Sequence, residues 1–356
     1  MKKQADYYQP ANKTELIRLL AILIEERGLE GDFNDIDTSL ITDMSGLCIE
    51  LNCLIRNNNF NGHIEHWDVS NVINMEEMFQ ASAFNQPLTY WNVSRVTNMR
   101  SMFRASCFNH PLNHWNTASV TNMQRMFQDS EFNQPIDNWD VSQVIHMDAM
   151  FIGSPFNQEL DTWQTKNLVS INQLFENTPF NRDINSWNTS NIREMERVFA
   201  YTPFNQPLYH WNTKNVISLA GMFTHSKFNQ PIGNWNVSNV EDLSSTFSFS
   251  PFNQNISDWQ TFHLMNMSHC FQSSPFNQPL NKWNVSNLEY LDLTFMDSGF
   301  NQPLSHWDVS NVQSLIWTFK NSPFNQNLNQ WQVDEYIGML DCFENTPMTP
   351  LPIWYK

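Results

Sequence analysis

The side chains that could do chemistry recur at fixed positions along the chain, and their spacing argues against a shared metal or catalytic centre. Four histidines, His66, His114, His210 and His306, each stand directly before a tryptophan. The closest two would be roughly 9–10 Å apart if the intervening repeats stack at the usual strand spacing. That distance is too long for two histidines to bind one zinc ion. We therefore interpret this column as variation on an exposed surface.

The other reactive residue types also fail to form a recognisable centre. The sequence has 5 cysteines at irregular spacing and 9 glycines, with no Cys-x-x-Cys pair, no Gly-rich phosphate loop and no nucleophile elbow. We expect free, mostly buried thiols, no cofactor and no catalytic residue. The cysteines are Cys48, Cys53, Cys107, Cys270 and Cys342.

The charge balance and the hydrophobic segments limit the classes of partner. A formal net charge of −17 repels a phosphate backbone or an anionic lipid surface, so nucleic acid is not an expected partner. The most apolar run, residues 19–24, is far shorter than the ~20 residues of a spanning helix, and it does not resemble a signal peptide. We expect no membrane insertion.

The elements that must position these side chains repeat every 24 residues. Leu or Ile stands three residues before each tryptophan of the series, Val or Thr two residues after it, and a polar residue of the Asn, Asp or Gln type between. β-Branched and aromatic residues favour strands, so each Trp-Asn-Val triplet predicts a short strand with Trp and Val inward and the amide outward. The series is Trp67, Trp91, Trp115, Trp139, Trp163, Trp187, Trp211, Trp235, Trp259, Trp283, Trp307 and Trp331.

A helical spacing follows each predicted strand. After Trp91 come Val96, Met99, Met102 and Phe103, which would share one face of a helix, with the methionines filling the core. Ser precedes this stretch in many repeats and is a good helix N-cap. The pattern predicts a short helix over about residues 72–79 and the equivalent residues of each repeat.

Each predicted helix is followed by a loop and the dipeptide Phe-Asn. Phe84-Asn85 and Phe108-Asn109 are examples. A stacked Asn can donate to the carbonyl of the neighbouring coil and accept from its own, so we expect a ladder of coil-to-coil hydrogen bonds. The residues that we assign to the structural core are Trp67, Trp91, Trp115, Trp139, Phe84, Asn85, Phe108 and Asn109.

These elements predict an α/β repeat solenoid of the leucine-rich-repeat type, with one short parallel strand and one short helix per 24-residue coil. Parallel strands would stack on one, concave side and helices on the other. We divide the chain into an N-terminal helical cap with a degenerate first repeat and an insertion (residues 1–59), twelve repeats (60–345) and a C-terminal cap (346–356). In this cap, Trp354 would cover the last coil.

The repeat resembles the BspA-like leucine-rich-repeat surface proteins, also described as the DUF285 repeat family. The matching pattern is Trp-Asn-Val-Ser-Asn-Val-x-x-Met-x-x-Met-Phe followed by Phe-Asn-Gln-Pro-Leu, which is clear from Trp67 to Leu88. The resemblance implies a microbial protein, often displayed on a cell surface and associated with adhesion or virulence. The chain lacks a recognisable signal sequence or wall anchor, which leaves a signal-less secreted effector or an intracellular scaffold as alternatives.

The variable column beside each tryptophan is the predicted binding surface. Repeat positions that keep one residue type, next to an exposed position that varies from repeat to repeat, are typical of a modular binding face. We therefore predict a non-enzymatic, monomeric module that binds a protein or a glycan, which could come from a host; an enzyme is the least favoured alternative. The candidate face comprises His66, Asp68, Tyr90, Asn92, His114, Asn116, His210, Asn212, His306 and Asp308.

Overall fold

The computed structural model describes residues 3–4 and 7–356 and divides the chain into two compact units. Unit 1 comprises Met1–Leu168 with Asn177–Arg182, and unit 2 comprises Val169–Glu176 with Asp183–Lys356. Within each unit, residues 24 positions apart lie side by side in successive coils and are joined by backbone hydrogen bonds. The repeat architecture predicted from the tryptophan series is therefore confirmed.

The N-terminal segment begins with two short antiparallel strands, β1 (Lys3–Gln4) and β2 (Tyr7–Tyr8). Helix α1 (Lys13–Arg27) follows, because the side chain of Asn12 accepts the N–H of Glu15 at its start. Residues 1, 2, 5 and 6 of the predicted cap lie outside the described residues.

A second helix, α2 (Leu47–Ile55), lies in the N-terminal region (residues 1–59) and overlaps the insertion that the sequence analysis placed there. Its apolar residues Leu47, Cys48 and Leu51 are buried. Lys13 of α1 donates to the backbone carbonyl of Ser45 at 2.7 Å, just before α2 begins.

The hydrogen-bonded strand of each coil is a single residue, and it does not lie where the sequence predicted it. Parallel bridges join Asn74 to Asn98 and Asn98 to Asn122, each seven residues after a tryptophan. The Trp-Asn-Val triplet instead connects two tight turns: the Trp67 N–H donates to the Ile64 carbonyl before it. Trp and Val point inward as predicted, but no strand pairs there.

The predicted short helix is absent from the coils, because a left-handed residue interrupts it. Met78 donates to the Met75 carbonyl, closing a turn whose third residue, Glu77, has φ 57°. Such turns place side chains at three-residue spacing, which the sequence analysis took for helical spacing. The Glu77 N–H donates to the Arg100 carbonyl of the next coil instead of to its own turn.

The core of each unit consists of columns of stacked aromatic rings. Trp115 and Trp139 stack with ring centroids 6.4 Å apart, and Phe79 and Phe103 with centroids 5.4 Å apart. These side chains are at most 3% exposed. The column arrangement follows from the constant 24-residue period, since every coil adds the same ring at the same position.

The C-terminal segment of unit 2 extends the tryptophan column. Trp354 stacks on Trp331 with ring centroids 5.9 Å apart, and its Nε1–H donates to the Leu328 carbonyl at 2.9 Å. Tyr355 packs edge-on against Phe343. Together these rings cover the apolar end of the last coil.

Candidate functional site

All ten residues of the candidate face predicted from the sequence are exposed, but they are divided between the two units. In unit 1, the rings of His66 and Tyr90 stack with centroids 4.7 Å apart. In unit 2, His210 Nδ1 lies 3.2 Å from Asn185 Nδ2. The candidate face stays a prediction, and it includes one stacked aromatic pair, His66 with Tyr90.

The amide column after each tryptophan has a local structural task. Asp68 Oδ1 accepts the N–H of Ser70 at 2.9 Å, and Asp308 Oδ1 accepts the N–H of Ser310 at 3.1 Å. Donation from the hydroxyl and the backbone of Ser310 lowers the pKa of Asp308. Where the column holds Asp or Asn, it therefore closes an Asx turn. Gln164 instead donates from Nε2 to the Thr162 carbonyl two residues before it.

Most indole N–H groups of the tryptophan column are used within the scaffold, and the buried Nε1 of Trp115 is the exception, since it has no partner among the described residues. Trp91 Nε1 donates to the Ile64 carbonyl at 3.1 Å and Trp139 Nε1 to the Leu112 carbonyl at 2.9 Å, in each case one coil back. A buried indole N–H requires such a partner. The column thus links neighbouring coils through polar as well as apolar contacts.

The Phe-Asn positions form the expected ladder, although the donor and acceptor roles differ from the prediction. Asn61 Oδ1 accepts the N–H of Asn85 at 2.9 Å, and Asn85 Oδ1 accepts the N–H of Asn109 at 3.0 Å. The side chain that donates to a neighbouring coil is the following glutamine, since Gln134 Nε2 donates to the Asn109 carbonyl at 3.1 Å. The prediction that Asn donates there is wrong.

A serine or threonine that the sequence analysis did not single out closes the next turn in every repeat. Ser130 Oγ donates to the Phe127 carbonyl at 2.7 Å and accepts the N–H of Phe132 at 3.3 Å. Thr202 makes the same two bonds in unit 2. Every repeat has Ser or Thr at this position, so the sequence alone could have identified the column.

Unit 2 contains a shallow groove between two exposed columns, one of polar side chains and one of variable side chains. Two adjoining parts, of about 380 Å³ and about 320 Å³, share Glu241 and His263. The residues that line the groove stand four and six residues after a tryptophan, next to the bridge residue at the seventh position. Its lining residues are Arg193, Asn215, Ile217, Asn239, Glu241, His263, Met265, Asn287, Glu289, Asn311 and Gln313.

The polar wall of the groove is a regular ladder. Asn239 Nδ2 donates to the Lys214 carbonyl at 2.8 Å, and Asn287 Nδ2 to the Phe262 carbonyl at 2.7 Å. His263 replaces Asn in the intervening coil, with Nδ1 donating to the Ser238 carbonyl at 2.6 Å. Each of these side chains is held by a bond to the preceding coil and stays exposed.

The variable wall alternates charged and apolar side chains. Ile217 is 41% exposed and Met265 is 39% exposed. Within the described residues, the side chains of Arg193 and Glu241 have no ion-pair or hydrogen-bond partner. Glu289 accepts one long bond from Gln313 Nε2 at 3.2 Å. The groove therefore presents available charges of both signs.

A second concavity, of about 570 Å³, lies in unit 1 between α1 and α2. Its wall includes Ile22 and Leu54, each 53% exposed. It holds no regular array of polar groups, so its lining does not define the chemistry of a ligand. The groove of unit 2 is the better candidate site for that reason.

No group of three or more His, Cys, Asp or Glu residues suited to a metal ion occurs in the part of the chain that the structure describes. Burial raises the pKa of the Cys48 and Cys342 thiols to about 12. Cys53 and Cys107 are exposed, and the five cysteines are free. Among residues 3–4 and 7–356, neither helix has the length and apolar composition needed to cross a bilayer.

The family model described as "Mycoplasma protein of unknown function, DUF285" matches five overlapping stretches that together reach from residue 21 to residue 352. The chain belongs to the DUF285 family. This confirms the family predicted from the Trp-Asn-Val and Phe-Asn-Gln-Pro motifs. The five stretches of DUF285 repeats are residues 21–131, 106–202, 154–251, 177–275 and 248–352.

Solved structures give a distant likeness. One is the leucine-rich-repeat ectodomain of the plant membrane receptor kinase GASSHO1/SCHENGEN3 from Arabidopsis thaliana, in complex with CASPARIAN STRIP INTEGRITY FACTOR 2. It is 11% identical with a TM-score of 0.27, and the alignment covers 86% of this chain and 46% of that chain. The DUF285 chain thus spans about half the length of that structure. No curated protein matches.

Proposed function

We propose that this DUF285 protein is a non-enzymatic binding module whose unit-2 groove holds an extended segment of a partner protein. The observation that carries the proposal is the pairing of a uniform polar wall with a wall that changes chemistry from coil to coil. A repeat scaffold that fixes one column and varies its neighbour is suited to reading a linear ligand. Of the variable positions, Arg193, Ile217, Glu241 and Met265 are exposed and Glu289 is half-buried, so packing does not dictate most of them.

The chemistry of the groove favours a polypeptide over a glycan. Exposed Ile217 and Met265 offer apolar contact, while Arg193 and Glu241 offer charges. The lining contains no Trp, Tyr or Phe ring on which a sugar could stack. The adhesive or host-directed role implied by the family resemblance would use this groove, as would a role as an effector or an intracellular scaffold.

A second binding surface is favoured by the stacked pair of unit 1. The Tyr90 side chain is 66% exposed beside His66. An exposed aromatic platform of this kind suits a glycan or an aromatic side chain. The candidate face predicted from the sequence is therefore retained as the alternative site.

The groove is tested by panning a library of random 12-residue peptides displayed on phage against the full chain. Selected clones are then measured against the variants Ile217→Arg and Met265→Arg. Arg193 already stands in the same exposed column, so either substitution should leave folding intact. We expect binding to fall by about tenfold or more, corresponding to roughly 1.4 kcal/mol.

Ile145→Arg is the matched control, because Ile145 occupies the same column in unit 1 and is 39% exposed. It should leave binding unchanged, and thermal unfolding should be the same for all three variants. Clones that respond equally to the control and the groove variants would rule the groove out. Clones lost only on Tyr90→Ala would transfer the binding function to the alternative face.

A further inference from the structure

The variable wall of the groove is a chain of residues joined directly through their backbones. The Ile217 N–H donates to the Arg193 carbonyl at 2.9 Å, and Glu241 donates to Ile217 at 2.9 Å. The same bond continues from Met265 to Glu241 and from Glu289 to Met265. Backbones paired in this way lie about 4.8 Å apart, so that distance is the rise from one coil to the next.

The charges on this wall occur at every second coil. Arg193, Glu241 and Glu289 are separated by Ile217 and Met265. Successive charges are therefore about 9.6 Å apart along the groove, in the order positive, negative, negative. The apolar side chains lie midway between them.

One regular peptide conformation matches this spacing on a single face. Polyproline II has three residues per turn and rises about 3.1 Å per residue, so residues i, i+3 and i+6 share a face about 9.3 Å apart. A β-strand puts residues i and i+3 on opposite faces. An α-helix places residues i and i+7 about 10.5 Å apart, a mismatch of about 1.8 Å over the two intervals.

We infer that the partner of the groove is a polyproline II segment with an acidic residue and two basic residues at three-residue spacing. This inference rests on the proposed function of the groove. The acidic residue pairs with Arg193, and the two basic residues pair with Glu241 and Glu289. Small apolar residues such as proline fill the positions between them and contact Ile217 and Met265.

Three labelled peptides test the spacing by fluorescence anisotropy with the full chain. Glu-Pro-Pro-Arg-Pro-Pro-Arg and its reversed sequence cover the two directions in which a segment can lie. Glu-Pro-Arg-Pro-Arg-Pro-Pro has the same composition and charge but two-residue spacing. We expect one of the first two to bind at least about tenfold more tightly than the third, because only three-residue spacing satisfies all the charges together.

Single neutralisations test the assigned contacts. Glu241→Gln and Glu289→Gln should each weaken the best peptide by about tenfold, as expected for the loss of one charge-assisted hydrogen bond. Glu289→Arg should restore binding to a peptide whose terminal Arg is replaced by Glu. The double variant Glu131→Gln with Glu335→Gln removes two exposed charges outside the groove and outside the alternative face, and it should leave binding unchanged.

Equal binding of the three peptides, or insensitivity to both Glu→Gln variants, would overturn this inference. Panning could instead select peptides whose binding depends on Ile217 and Met265 but whose charges are not three residues apart. That result would support the groove as a binding site and reject the polyproline II partner. A helical peptide with charges seven residues apart that binds more tightly would also overturn it. If the groove variants change the binding of no selected clone, both proposals fail.

Discussion

At the residue scale, the unusual feature is a left-handed backbone at two positions in every coil. These positions have φ between 49° and 66°, and in both series nearly all residues are not glycine. Glycine occurs there only as Gly153 and Gly221 among the described residues. At the other positions the left-handed conformation costs roughly 1–2 kcal/mol per residue, because Cβ crowds the backbone in this conformation. In this conformation the N–H groups donate to the next coil, as Glu77 does to Arg100 and Ala105 to Gln128.

Replacing one of these residues by glycine should therefore stabilise the protein. Ala105 has φ 52° and is exposed, so Ala105→Gly relieves strain without removing a contact. We expect the free energy of unfolding to rise by about 0.5–1 kcal/mol after the greater flexibility of glycine in the unfolded chain is deducted. Denaturant unfolding followed by tryptophan fluorescence measures the change.

Ala118→Gly is the matched control for that experiment. Ala118 is also exposed and lies in a turn of unit 1, but its φ is not positive. This substitution should lower the free energy of unfolding by about 0.5–1 kcal/mol. The same sign for both variants would contradict the strain argument.

At the element scale, the coil is built from tight turns and coil-to-coil bonds instead of long strands and helices. The turn that begins at Phe127 ends on Ser130, whose hydroxyl bonds to the carbonyl before it and to the N–H of Phe132 after it. Ser130 is 3% exposed, so water cannot replace either bond. This hydroxyl holds the two stacked phenylalanines of the turn at their observed separation of 3.9 Å.

Ser130→Ala should destabilise the protein by about 1–3 kcal/mol, because the buried N–H of Phe132 loses its partner. The Phe127 carbonyl loses one of its two donors and keeps the N–H of residue 130. Ser130→Thr should change stability little, since Thr202 makes the equivalent bonds in unit 2. Differential scanning calorimetry of both variants compares the two. A threonine variant as unstable as the alanine variant would show that volume, and not the hydroxyl, controls this position.

At the scale of the whole molecule, each unit is held together by contacts between neighbouring coils. Stability in such repeats is a sum of local terms, so distant coils can open at different denaturant concentrations. Buried thiols report this opening separately, because Cys48 lies in unit 1 and Cys270 lies in unit 2. Burial raises the pKa of the Cys270 thiol well above its usual value, which suppresses its reactivity in the folded state.

Alkylation of the native protein near pH 8 should therefore add two groups, at Cys53 and Cys107. Intact-mass spectrometry after full denaturation should show all five cysteines modified. With increasing denaturant, the midpoints of labelling at Cys48 and Cys270 compare the opening of the two units. A third adduct under native conditions would contradict the burial of the remaining thiols.

The amino-acid sequence by itself determined which columns of the repeat are buried. A constant 24-residue interval places Trp91 beside its counterparts, and rings of that size have to be removed from water. The same interval predicted the Phe-Asn ladder and the family. It also predicted the inward direction of Trp and Val in a segment that forms no strand, because inward and outward alternation is shared by strands and tight turns.

Only the tertiary structure decided which backbone groups pair. That pairing in turn decided where the groove lies. Pairing joins residues 24 positions apart, such as Asn74 and Asn98, and no local preference in the sequence marks that register. The positive φ at Glu77 was equally hidden, since glycine does not stand there. Because the paired residue lies seven positions after the tryptophan, the exposed variable column beside it, and not the Trp-Asn-Val triplet, lines the groove.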